Sequence, residues 1–275
     1  MTKTSPAKPI PKPKPKSRQE LIELPEDSGA IFQAVGIVPG DVAFEEQGAS
    51  ITVGGKQYRI FYSTEHRNAF EALKINVKAT GANQRLIVYP YVRHFPKKEQ
   101  PYQLAFQVVG FIGKTPIEGC ISQELQDFEF RIAGLWQFIP VCASPCITVL
   151  KNYSSERVNF IKEATVEEKV RFMKASHIPL LWSEPPVRPF RFNPRLEKEQ
   201  QGKAAFVQIT ASFNLDQDTF EFKALRCLPA SNSPKGLKAG KKDKAEVLAK
   251  SKIQQSKGDR CNKLGRSLAE AKPKV

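Results

Sequence analysis

The 275-residue chain is poor in the residue types that usually announce chemistry: three histidines, five cysteines, two tryptophans and two methionines. Cys120, Cys142, Cys146, Cys227 and Cys261 are an odd set at irregular spacing, and no apolar core follows Met1, which argues against a secreted disulfide framework. A reducing, cytoplasmic setting is expected. The lysine-rich start also fits an organelle transit peptide poorly, because such peptides favour arginine, serine and helix, whereas alternating Pro-Lys opposes helix. No long hydrophobic run is present. The most apolar stretch, Leu135 to Leu150, is broken by Gln137, Pro140, Ser144 and Pro145, short of the 18 or so clean residues that a membrane helix needs.

Catalytic motifs are missing as well. There is no Gly-x-Ser-x-Gly elbow, no His-Glu-x-x-His and no paired-acid signature around His66, His94 or His177. Gly113-Lys114-Thr115 looks like the end of a phosphate-binding loop. Val108 stands where that motif needs its first glycine, and Pro116 follows closely, so neither the wrapping amides nor the helix start is in place. Cys142-Ala-Ser-Pro-Cys146 has three intervening residues and no nearby second pair to complete four zinc ligands. The cysteines read as small buried thiols, and no enzyme, cofactor or metal is expected.

What is abundant is positive charge, and its placement matters more than its total. The net charge is +15, with 43 Lys+Arg against 28 Asp+Glu. Met1 to Arg18 holds six basic residues and no acid, and Lys235 to Val275 holds thirteen basic residues against four acids. Residues 19–234 are therefore electrically balanced. The N-terminal SPAKPIPKPKPK alternates Pro with Lys, which predicts an extended, self-repelling arm over 1–19. The segment 235–275 has no aromatic residue and is expected to be a disordered basic tail, with at most a transient helix over Lys241 to Gln255.

Between the arms, short segments rich in Val, Ile, Phe and Tyr alternate with Gly, Pro and Asp turns, the pattern of a β-rich protein. Strands are predicted at Ile31 to Val38, Ser50 to Val53, Gln57 to Tyr62, Arg85 to Phe95, Tyr102 to Ile112, Asp127 to Phe138, Ile147 to Tyr153, Ala205 to Phe213 and Thr219 to Arg226. Gly54-Gly55 reads as a tight hairpin turn. Two helices are predicted. One spans Glu65 to Ala79, with Phe70, Leu73 and Val77 on one face and Gly81 as its stop; the other spans Ser155 to Ala175. Gly36, Gly110 and Gly134 each interrupt an apolar strand, as bulged or sharply bent sheets require. The fold class expected is β-rich α+β, built from one or two small curved-sheet or barrel modules at 30–100 and 101–228. Its order of elements, not any residue signature, resembles the OB-fold, a five-stranded barrel.

Two segments point to binding. In Arg85 to Lys98 (RLIVYPYVRHFPKK), alternation places Leu86, Val88, Pro90 and Val92 on one side and Arg85, Ile87, Tyr89, Tyr91, Arg93 and Phe95 on the other, with Lys97 and Lys98 beyond. Rings that stack bases beside cations that meet phosphates are the recipe for single-stranded nucleic acid. The competing reading has the rings in the core and the arginines at its rim. A second segment, Arg188, Phe190, Arg191, Phe192 and Arg195 in a Pro-fenced loop, repeats the interleaving; there the rings would otherwise pin the loop. Trp136 and Trp182 lie among apolar neighbours and are assigned to packing. The leading function is a nucleic-acid-binding protein, with single-stranded RNA favoured because unpaired strands expose base faces. The alternative is a protein-interaction or assembly factor whose basic tails bind an acidic partner.

If the arms supply general attraction, a chain cut to residues 20–234 should lose most of its salt-dependent, nonspecific association. The expected outcome is a clearly shallower slope of log Kd against log salt for a short unstructured RNA, read by fluorescence anisotropy. An unchanged slope would assign that attraction to the core.

Overall fold

A computed structural model describes residues 21–25, 28–46, 48–95, 100–113 and 121–250. The N-terminal arm, the tail beyond residue 250, Lys97, Lys98, Lys114-Thr115, Cys120 and Cys261 lie outside the described residues.

A hairpin starts the architecture. The long first strand, β1 (Gln33–Glu45), pairs antiparallel with β2 (Gly48–Val53), and β2 turns through Gly54-Gly55, both at positive φ, into β3 (Lys56–Phe61). Helix α1 (Arg67–Thr80) follows, burying Phe70 and Leu73 and ending where the Gly81 N–H bonds the Val77 carbonyl. Strand β4 (Asn83–Arg93) returns beside β1, and β5 (Gln103–Phe111) inserts between β4 and β3, parallel to β3. The hydrogen-bonded order β1-β2-β3-β5-β4 closes back on β1. This is a closed five-stranded barrel with its helix between the third and fourth strands, the arrangement of an OB-fold. Strand β5, assigned from the sequence to the second module, completes the first.

The remaining long strands close a second ring. Strands β6 (Glu129–Gln137), β7 (Cys146–Val149), β9 (Ser176–Leu181), β11 (Thr219–Leu225) and β10 (Ala205–Asn214) pair in that order, and β10 returns to β6. The order matches that of the first barrel, including one parallel pair, β9 with β11. The helices differ in place: α2 (Ser155–Glu163) and α3 (Val166–Phe172) lie between the second and third strands of this ring. The single helix predicted at 155–175 is two, because Ala164 is extended and Thr165 starts α3 with a capping box to Glu168. Strand β9 was not anticipated, since SHIPLL is short and Pro179 interrupts it. Nor does the chain end its order at residue 235: β12 (Gly236–Leu237) pairs with β8 (Lys151–Asn152), Ala239 is buried, and 241–250 form helix α4. No helix among the described residues is long and apolar enough to cross a membrane.

The two rings are joined by sheet and by core. The start of β1 pairs with β6 from Gln33↔Ala133 to Gly36↔Phe130, so the long strand of the first barrel extends onto the second. Tyr58 and Phe106 of the first barrel meet Phe213 of the second at 5.8 Å, and Phe130 packs on Phe220 at 4.9 Å. The β10–β11 turn caps this cluster. The Tyr58 hydroxyl and Lys56 donate to Asp218, and the Tyr102 hydroxyl donates to the Asp218 carbonyl. Burial, with Asp218 as acceptor, pushes the Tyr58 phenol above its ordinary pKa.

Strand β1 runs unbroken through Pro39-Gly40, which the sequence suggested as a separator. At Gly40 a β-carbon would lie 2.5 Å from the Thr52 carbonyl oxygen, and at Gly134 it would lie 2.5 Å from that of Thr148. Each glycine precedes the residue paired with that threonine. The two positions are equivalent in the two rings and let the first strand bend tightly over the second. Gly134→Ala should therefore destabilise by about 1 to 3 kcal/mol in urea unfolding, whereas Gly110→Ala, whose nearest new neighbour would be 3.8 Å away, should change little.

Candidate nucleic-acid interface

Strand β4 alternates as its sequence predicts. Leu86, Val88, Pro90 and Val92 are buried, while Tyr89, Tyr91 and Arg93 are exposed on the outer side, Tyr89 at 37% and Tyr91 at 44%. The barrel supplies their neighbours. Register places Ser50, Arg59, Ala105 and Tyr91 in one row across β2, β3, β5 and β4. The adjacent row carries Phe61, Gln107 and Tyr89, and the row on the other side carries Gln103 and Arg93, with Gln57 on β3. Phe61 and Tyr91 meet edge to face at 5.5 Å. These rows hold two guanidiniums, three aromatic rings and amides or small residues, with no carboxylate among the positions named.

At one edge the second barrel approaches. The Tyr89 ring lies 6.3 Å from the ring of His66, and its phenol is raised above its ordinary pKa chiefly by burial, with Arg157 of α2 opposing and Glu65 assisting. Lys151 of β8 is lowered by burial and by Arg157. Arg157 and Glu65 thus both lie near this edge of the face.

The other predicted residues divide. Arg85 sits at the far end of β4 and is held by Asp127, with Nε and Nη2 at 2.8 and 2.6 Å, so its charge is already matched. Phe95 is half-buried, with the Arg93 guanidinium over its ring. In the second segment Phe190 is pinned to the end of β6: its N–H donates to the Trp136 carbonyl and its own carbonyl accepts from the Phe138 N–H. Arg188, Arg191, Phe192 and Arg195 are exposed, Phe192 at 63%, and the Arg191 guanidinium covers Phe138 at 4.6 Å. This loop joins β9 to β10, on a different barrel from Tyr91. Trp136 is buried and Trp182 stacks on Phe222 at 4.3 Å, both in packing roles.

Arg59, Phe61, Gln57, Gln103 and Gln107 were not singled out from the sequence. Their outward alternation on β3 and β5 was readable; that β5 would lie between β3 and β4, bringing them beside Tyr91, was not.

The fold also gathers His94, His177, Cys142 and Cys146 where the barrels meet. His94 donates from Nε2 to the His177 carbonyl at 2.7 Å and lies 3.6 Å from the Cys142 sulfur. His177 Nδ1 shares a hydrogen bond with the Thr148 hydroxyl, which accepts from Gln137. The Cys146 thiol donates to the Gln137 carbonyl; interaction with the neighbouring Cys146 lowers the Cys142 pKa, while the Cys142 side chain, with burial, pushes Cys146 up. No carboxylate is among these partners, and no group of His, Cys, Asp or Glu among the described residues is arranged to hold a metal. The cluster is an inter-barrel contact. No family model and no curated protein matches this chain.

Burial, then His94, Lys174 and Lys244, lowers the His177 pKa from 6.5 to about 4. The unfolded chain therefore binds the extra proton between pH 6.5 and 4, and stability falls as pH drops through that window, by up to about 3 kcal/mol. Urea unfolding at pH 7 and pH 4.5 should show this loss. His177→Gln should remove much of it.

Proposed function

We propose that this protein binds single-stranded nucleic acid, RNA in preference to DNA, along the outer face of β3, β5 and β4. The observation that carries the reading is the set of neighbouring rows in which Phe61, Tyr89 and Tyr91 alternate with Arg59 and Arg93 on an OB-type barrel. Bases stack on such rings at roughly 1 to 3 kcal/mol each while the guanidiniums meet phosphates. OB barrels characteristically bind oligonucleotides on the face around the second and third strands, and the named rows begin there. The Gln57, Gln103 and Gln107 amides add donors and acceptors for base edges. The basic N- and C-terminal segments supply sequence-independent attraction to the backbone.

A second reading, an assembly factor that holds a protein partner, is supported by the α2–α3 hairpin, which buries none of its residues and leaves Phe160 47% exposed beside Phe172. Association that survives nuclease and high salt, and that requires Phe160, would favour it.

The direct test is a titration of unstructured RNA and DNA oligonucleotides over a salt series. Replacing Tyr89 and Tyr91 together by Ala should weaken binding by at least tenfold with the salt slope kept. Arg59→Ala or Arg93→Ala should reduce that slope by about one. No binding at low salt, or unchanged affinity in the double variant, would overturn the proposal.

A further inference from the structure

On the side of the molecule where the two barrels share sheet, a cleft of about 320 Å³ opens over β1, β6 and β10, near the lower end of the range typical of small-molecule sites. Its floor is one register row: Gln33, Ala133 and Gln208 lie side by side across the three strands. Arg131, two residues from Ala133 on the same face of β6, forms one wall, and Arg226 forms another, fixed by its N–H on the Gln208 carbonyl. Ile31, just before β1, contributes the rim.

The charges in the cleft do not balance. Arg131 and Arg226 both pair with Glu124, through the same oxygen, Oε2. Two guanidiniums share one carboxylate, leaving a net positive charge. The Arg131 Nε and Nη2 are both buried, and neither makes a hydrogen bond of ordinary geometry among the described residues, an arrangement that costs free energy until an acceptor arrives. Burial and the neighbouring Arg226 both push the Arg131 pKa below its ordinary value, so the cleft favours an added anion.

We infer that this cleft is a binding site for a phosphate monoester, held by Arg131 and Arg226 with the Gln33 and Gln208 amides beside it. A phosphate monoester offers several acceptor oxygens on one centre and matches the planar fork of a guanidinium, which makes it the ligand of choice for paired arginines. The small Ala133 side chain leaves room on the floor, and the two glutamine amides provide donors and acceptors for whatever the phosphate carries. That carrier is a free mononucleotide or the 5′-phosphate end of a strand. The site is separate from the Tyr91 face and stands without it.

Isothermal calorimetry on the full chain tests the assignment with AMP, adenosine, and a short oligonucleotide with or without a 5′-phosphate. AMP should bind and adenosine should not. Arg226→Glu, which alters a partly exposed side chain, should weaken AMP at least tenfold with circular dichroism unchanged, and Arg131→Gln should do the same. Tyr91→Ala should leave AMP binding intact, which separates this site from the strand face. AMP binding no weaker than the 5′-phosphorylated oligonucleotide identifies a nucleotide site; tighter binding of that oligonucleotide than of AMP and of its 5′-hydroxyl counterpart identifies a strand end. Absence of AMP and 5′-phosphate binding at millimolar concentration, or full affinity in Arg226→Glu, would overturn the proposal.

Discussion

Strand β1 is the constraint that closes the first barrel and ties it to the second. Over thirteen residues it takes three partners in turn, β6, β4 and β2, and it bends sharply to reach them. Gly40 permits that bend inside the first ring, as Gly134 does for β6 in the second. Once β1 is placed, the register of β4 follows from one of its edges and that of β6 from the other. Because side chains alternate with a period of two, a one-residue slip would turn every buried residue of β4 outward. The aromatic cluster of Tyr58, Phe106, Phe130, Phe213 and Phe220 then fuses the two interiors, so the chain carries one continuous apolar core around two rings.

This joint has consequences for surface chemistry. The outward side of β3, β5 and β4 stays accessible, and there the rings and guanidiniums of the proposed strand face gather. The corresponding outward positions of β7 and β9 in the second ring are Cys146, Thr148 and His177, of which Cys146 and Thr148 are buried and His177 accepts His94 from the first barrel. The second barrel's equivalent face is thus occupied by the joint. Its other outer side, over β6 and β10, is covered in part by the segments around Phe32 and Ala230, and the arginine-lined cleft opens next to that cover. Equivalent strands in equivalent rings present different surfaces because each ring is packed against the other differently.

Most of the first barrel is legible in the sequence. Gly54-Gly55 announced the hairpin, the spacing of Phe70, Leu73 and Val77 announced α1, and alternation along β4 separated Val88 and Val92 from Tyr89 and Tyr91. Local periodicity is a property of neighbouring residues, so the sequence contains it. What misled was local punctuation overridden by pairing. Pro39-Gly40 looked like a turn but lies inside a strand held from both sides, and Pro179 hid β9 although β7 and β11 flank it. The Arg85 charge looked free until β1 and β4 carried it to Asp127, 42 residues away.

By itself the sequence determined the β-rich class, the placement of charge in the terminal segments and the two-faced character of β4, because each depends on composition or on a period of two. The tertiary structure alone decided that two rings close in the same strand order, that Arg59 and Phe61 stand beside Tyr91, that His94 meets His177, and that Arg131 and Arg226 converge on one carboxylate. Each of these joins residues distant in the chain, and such contacts are set by strand pairing and ring closure, which no local pattern encodes.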